Sequence, residues 1–213
     1  MIVLVTGGAA SGKSAYAEAL ACSMSPVRTY VATMQNDSDE AAERVERHRA
    51  QRVGAGFETV EVCGSLHHIA PTANAFSGEA LGERAVGVAL LDDIGNLVSN
   101  ALFAADGTMA NADDVLARLI REFNDFAAQY AHVVVVGNEV GASGRQFDAS
   151  TEAWVHVVGS LCCAIAARCD LVVEVVAGQP NVVKGTVPAQ PQEVGLRLPC
   201  QQTTSFETEC LVV

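Results

Sequence analysis

Lysine is nearly absent from this chain. It occurs only at Lys13 and Lys184, and lysine plus arginine total 13 against 25 aspartates and glutamates. The net charge of −12 argues against broad nucleic-acid binding or attachment to anionic membranes, both of which need a basic surface. Any anionic ligand must be met by a local group of cations. Charged residues as a whole are sparse, at 18%, while half the residues are hydrophobic, which excludes a disordered chain. The seven cysteines are Cys22, Cys63, Cys162, Cys163, Cys169, Cys200 and Cys210; they are odd in number and form no C-x-x-C pair. Zinc-type spacing is therefore missing, and reduced thiols in a cytoplasmic protein are expected. No secretory leader is expected either, because the first residues already read as a strand. The apolar run from Ala153 to Ala167 is fifteen residues long, too short to span a bilayer, and reads as a buried or oligomer-facing helix.

What the chain does have is concentrated at its start. Ile2 to Val5 is an unbroken apolar run, suited to a strand buried on both faces. Gly7, Gly8, Ala9, Ala10, Ser11, Gly12, Lys13 and Ser14 follow, matching G-x-x-x-x-G-K-[ST]. In such a loop backbone N–H groups turn inward around a phosphate, the lysine reaches the β- and γ-phosphates, and the serine hydroxyl ligates Mg²⁺. A helix from about Lys13 to Met24 points its positive end at the same anion. One of the two lysines thus occupies the position where the motif needs one.

Further strands are expected at 28–32, 57–62, 86–91, 132–136 and 171–176, with a short last one at 182–184. Helices are expected at 13–24, 39–52, 94–104, 112–130 and 150–169, and a short helix around His67-His68. The strands are β-branched runs that alternate with helices. This predicts an α/β fold with a largely parallel sheet covered on both faces, in a single domain over 1–185. Ligands of such sheets sit at the carboxyl ends of the strands, so Gly7–Ser14, Asp92 and Asn138-Glu139 should converge on one crevice. The stretch 186–213 lacks periodicity and is expected to be a mobile tail.

Asp92 ends a buried strand, where it would hold Mg²⁺ beside Ser14; Asp92-Asp93 would equally cap a helix. His48 lies in helix 39–52, with Arg44 and Arg52 one turn to either side and Arg47 and Arg49 flanking it. Four arginines in nine residues suit a triphosphate, and their charge should keep the imidazole neutral and nucleophilic. The same segment reads equally well as a solvated helix in which Glu43 and Glu46 pair the arginines. His67, His68, His132 and His156 have no such setting and read as structural or surface residues.

Together the segments VTGGAASGKS (5–14), YVAT (30–33), DEAAERVERHRAQR (39–52), ETVEV (58–62), LLDDIGNLVSNALF (90–103) and NEVG (138–141) resemble the bifunctional adenosylcobinamide kinase / adenosylcobinamide-phosphate guanylyltransferase family, from residue 1 to about 185. The resemblance implies a RecA-like P-loop NTPase fold, commonly assembled as a homotrimer. It implies ATP or GTP and a corrinoid as substrates, Mg²⁺ as cofactor, and no nucleic-acid partner or membrane span. Two reactions are implied: phosphorylation of adenosylcobinamide, then transfer of GMP from GTP onto that phosphate through a GMP-histidine at the position of His48. The implied nucleotide contacts are Gly7 to Ser14, Ala32, Thr33, Met34, Arg49, Ala50, Gln51, Arg52, Glu61 and Asp92, with Lys13 and His48 catalytic and Ser14 and Asp92 at the metal.

The chain also departs from the family pattern. Asp-Cys-Leu-Thr after the acidic strand reads Asp92-Asp93-Ile94-Gly95, and Gly-Ile-Val-Pro after NEVG is replaced around Ser143 to Gln146. Arg, Arg-Asp and Asn-Gln on the next helix read Glu152, Val155-His156 and Cys162-Cys163. These losses keep two other readings open: a catalytically degenerate nucleotide-binding paralogue, and a P-loop kinase or nucleotidyltransferase for another small molecule.

Overall fold

The computed structural model describes residues 1–34, 54–67, 69, 87–141 and 146–187. Seven strands form one sheet: β1 Ile2–Thr6, β2 Arg28–Ala32, β3 Phe57–Glu61, β4 Val88–Asp92, β5 His132–Val136, β6 Leu171–Val176 and β7 Gln179–Lys184. Their order is β3-β2-β4-β5-β1-β6-β7. All neighbours are parallel except β6 and β7, which form an antiparallel hairpin. The continuous apolar runs of β1, β4 and β5 occupy the centre, where both sheet faces are covered. At the edge, β3 exposes Glu58, Thr59 and Glu61; the exposure is not strictly alternating, because an edge strand leaves residues of both faces open to solvent.

The described helices are α1 Lys13–Met24, α2 Ile94–Leu102, α3 Ala112–Ala128 and α4 Ala149–Arg168. One face of the sheet, with Val3, Val5, Tyr30, Leu90 and Val134, packs on Ala17, Leu20 and Ala21 of α1. The other face, with Leu4, Val31, Leu91 and Val135, packs on Leu97 of α2, Phe123 of α3 and Leu161 of α4. Asn111 and Asp148 begin α3 and α4 by accepting backbone N–H groups of the first turn. Lys184, the second lysine, donates to the carbonyls of Ala166 and Ala167 at the end of α4, where a cation is favoured.

Several boundaries move. α2 stops at Leu102 because Phe103 turns extended and bridges to Met109. The last strand begins at Gln179, three residues earlier than expected, because the turn at Ala177 and Gly178 pairs it directly with β6. His67 lies in a turn, not in a helix, and His68 falls outside the described residues. The helix at 39–52 and the tail from 188 onward also fall outside them. α4 is 20 residues long, five more than the apolar run alone, and is long and apolar enough to cross a membrane by length and composition only. Its Val157, Val158, Leu161 and Ile165 instead form a buried stripe against the sheet and α3.

Candidate functional site

The register places Glu61, Ala32, Asp92, Val136, Val5 and Val173 in one row across β3, β2, β4, β5, β1 and β6. Everything beyond that row lies at the carboxyl ends of parallel strands. The loop 7–14 leaves β1 there and is held at two points. Glu139 N donates to the Gly7 carbonyl at 3.3 Å, and Gly178 N in the β6–β7 turn donates to the Ser11 carbonyl at 2.8 Å. A Cβ on Gly7 would stand 2.5 Å from the Val175 carbonyl oxygen, so only glycine fits. Gly12 adopts φ +91° as the N-cap of α1 and, having no side chain, leaves the helix N-terminus uncapped. Lys13 Nζ donates to the Gly8 carbonyl at 3.1 Å, so its ammonium lies over the loop.

Asp92 connects this loop to the rest of the sheet. Ser14 Oγ donates to Asp92 Oδ1 at 3.4 Å, and Tyr30 Oη donates to Asp92 Oδ2 at 2.9 Å. The next residue, Asp93, is the N-cap of α2 through Asn96 N at 2.8 Å. The capping role weighed for Asp92-Asp93 thus falls to Asp93, which frees Asp92 to face the loop. Asn138 closes the junction from β5: its Oδ1 accepts Gly95 N at 2.9 Å and its Nδ2 donates to Asp93 Oδ2 at 3.2 Å. Trp154 of α4 donates to the Gly95 carbonyl at 3.1 Å from the other side.

The structure therefore brings Gly7 to Ser14, Ala32, Thr33, Met34, Glu61, Asp92 and Asn138-Glu139 to one edge. Glu61 is exposed beside Ala32, and Met34 is half-buried. Thr33 has a structural part in the described bonds. Its side chain is fully buried, and its hydroxyl bonds the backbone of Asp92 and Asp93, accepting Asp93 N at 2.8 Å. Its own N–H goes to the Asp92 carbonyl, and its carbonyl accepts Asn100 Nδ2. Thr33 is a brace between β2 and β4. His48, Arg49, Ala50, Gln51 and Arg52 lie outside the described residues. Sequence reasoning missed Tyr30, the β6–β7 turn and the bracing of Asn138; the only hint was that Tyr30 and Asn138 fall within motif segments.

Ser14 and Asp92 offer hard oxygen donors close together at the phosphate loop. Mg²⁺ takes few protein ligands and fills its shell with water and phosphate oxygens, so this pair fits it. No group of three or more histidine, cysteine or acidic side chains gathers among the described residues.

The departures on α4 divide by side. Cys162 faces inward beneath Gly137, and burial pushes its thiol up to about 11, against the lowering effect of the Asn138 backbone bond. Glu152, His156 and Cys163 are exposed. The inward cysteine fills space beneath the strand end, while the outward face carries Glu152 where arginine was expected, His156 where aspartate was and Cys163 where glutamine was.

The family model described as cobinamide kinase / cobinamide phosphate guanyltransferase matches residues 3–183. A bifunctional adenosylcobalamin biosynthesis protein, CobP, of Pseudomonas aeruginosa is 31% identical over 183 residues, covering 85% of this chain and 96% of that protein. The protein of the same description named CobU, of Salmonella typhimurium, is 34% identical over 186 residues, covering 84% and 97%. A third, CobU of Escherichia coli, is 56% identical over 52 residues, covering 24% and 28%. The matches to the first two run nearly the full length of those proteins. The chain belongs to the cobinamide kinase / cobinamide phosphate guanyltransferase family.

Proposed function

We propose that this chain phosphorylates adenosylcobinamide with ATP or GTP and then transfers GMP from GTP to the product, within the domain 1–185. The observation that carries the proposal is the approach of Ser14 Oγ to Asp92 Oδ1 across 3.4 Å, from elements 78 residues apart. That pairing supports nucleoside triphosphate chemistry, and family membership supports the corrinoid as acceptor. In the first reaction the substrate hydroxyl oxygen bonds to the γ-phosphorus, the bond to the β-phosphate oxygen breaks, and the hydroxyl proton is released. Lys13 and the N–H groups of the loop stabilise the charge that develops on the transferred group. When bound, Mg²⁺ would neutralise phosphate charge between Ser14 and Asp92.

In the second reaction an imidazole nitrogen of His48 bonds to the α-phosphorus of GTP and pyrophosphate leaves. A phosphate oxygen of the acceptor then takes the guanylyl group, the N–P bond breaks, and the free imidazole returns. The flanking arginines Arg47 and Arg49 suit the anionic donor and acceptor. A homo-oligomer, as a trimer, is part of this reading. The test is incubation with adenosylcobinamide and GTP, with chromatography of the corrinoid. Successive appearance of the phosphate and the GDP derivative is expected; an unchanged corrinoid contradicts the proposal. The outward face of α4, with His156 and Cys163 in place of the family's polar residues, favours a second reading: the same chemistry on another acceptor.

A further inference from the structure

Tyr30 sits in the middle of β2 and is 5% exposed. Its register partner is Leu90, so Asp92 is the diagonal neighbour on the same sheet face, within reach of a long aromatic side chain. The ring packs edge-on against Phe57, with centroids 6.2 Å apart and planes at 82°, which fixes where the phenol points. It points at Asp92: Tyr30 Oη donates to Oδ2 at 2.9 Å, while Oδ1 faces Ser14 Oγ at 3.4 Å. One carboxylate is therefore divided between a buried donor on β2 and the phosphate loop. The terminal torsion of a carboxylate has only broad intrinsic preferences, so its hydrogen-bond partners set its orientation.

We infer that Tyr30 is a positioning residue that sets the orientation of Asp92, so that one oxygen is presented to the divalent cation held with Ser14. The inference rests on the proposed metal role of Asp92. Partners of this kind around metal ligands typically change metal affinity about 10- to 100-fold when removed. Replacement by phenylalanine deletes the hydroxyl and keeps the ring and its contact with Phe57.

The test titrates Mn²⁺ in the presence of GTP, following free Mn²⁺ by electron paramagnetic resonance, for the unaltered protein, Tyr30→Phe, Asp92→Asn and the double variant. Thermal unfolding is recorded alongside. Tyr30→Phe should weaken Mn²⁺ binding about tenfold or more, with little change in unfolding temperature or in GTP affinity without metal. In the Asp92→Asn background Tyr30→Phe should add nothing. Weakening by Asp92→Asn with none by Tyr30→Phe overturns the inference and leaves the metal role of Asp92 intact. An equal loss in both backgrounds overturns it too, since Tyr30 would then act elsewhere. A Tyr30→Phe protein that fails to fold marks the hydroxyl as structural and also overturns it. Mn²⁺ binding unaffected by Asp92→Asn contradicts the metal role itself.

Discussion

The side-chain amide of Asn138 grips both ends of the Asp93–Gly95 turn, accepting Gly95 N at 2.9 Å and donating to Asp93 Oδ2 at 3.2 Å. Asn138 follows β5 and the turn follows β4, so one side chain fixes two neighbouring strand ends beneath the phosphate loop. In Asn138→Ala the buried Gly95 N–H loses its acceptor, at a cost of about 1–3 kcal/mol. At about 2–4 °C per kcal/mol for a chain of this size, calorimetry should show a fall of roughly 2–12 °C. Triphosphate-dependent activity should fall with it, because Asp92 adjoins the freed turn. An unchanged unfolding temperature would show the grip to be incidental.

Glu122 ties the loop after β3 to α3. Burial opposes its charge, but bonds from Leu66 N, Arg118 and Ser65 outweigh that and hold its pKa below the ordinary value of 4.5. A carboxylate with a depressed folded-state pKa contributes stability that is present above its unfolded pKa and lost as pH falls through the folded one. Denaturant melts should therefore show stability falling from about pH 4.5 downward. Glu122→Gln should be less stable at pH 7 by about 1–3 kcal/mol, with a flatter acid limb. Parallel acid limbs for the two proteins would contradict this.

Thiol reactivity should follow burial on α4. Cys162 has its pKa pushed to about 11 and Cys169 to about 12, in both cases chiefly by burial, while Cys163 is exposed. Alkylation of the native protein at pH 8, read by peptide mass spectrometry, should modify Cys163 and spare its neighbour Cys162. Reversed labelling would mean that α4 is rotated from the orientation described.

The sheet was legible in the sequence because fully buried parallel strands leave continuous apolar runs rich in β-branched residues, as in Val133 to Val136 and Val3 to Val5. The phosphate loop was legible because backbone geometry restricts it to glycine at Gly7 and Gly12. What stayed hidden was whatever depends on register across strands. Thr33 reads as a polar residue after a strand and reveals itself as a brace only once β2 lies beside β4. Tyr30 reads as one more strand aromatic until its diagonal relation to Asp92 is known. The contact of Gly178 with Ser11 joins parts of the chain 167 residues apart, and no local pattern announces it.

The departures on α4 carry a kinetic expectation. If this helix helps hold the corrinoid, the missing polar contacts, each worth about 0.5–3 kcal/mol, should lower kcat/KM for adenosylcobinamide on the order of a hundredfold. The comparison is with a relative that carries arginine and asparagine there. GTP binding should be preserved. Equal kcat/KM in the two enzymes would show the substitutions to be neutral.

Lys13 should be indispensable to chemistry and dispensable to folding. Its ammonium is half-buried over the loop, bonded to the Gly8 carbonyl. Lys13→Ala should lose triphosphate-dependent activity by at least about a hundredfold, as expected for a group aimed at developing phosphate charge. Circular dichroism and unfolding temperature should stay close to those of the unaltered protein. A folded Lys13→Ala protein with full activity would contradict the phosphate-loop assignment.

The most direct measurement of the whole account follows GTP labelled at the α-phosphate. The protein should acquire label that is lost in acid, kept in base, and released to the corrinoid when phosphorylated adenosylcobinamide is added. His48→Ala should take no label yet still phosphorylate adenosylcobinamide, because direct transfer to a hydroxyl needs no covalent enzyme intermediate. Label that persists in His48→Ala, or label that never reaches the corrinoid, would contradict it.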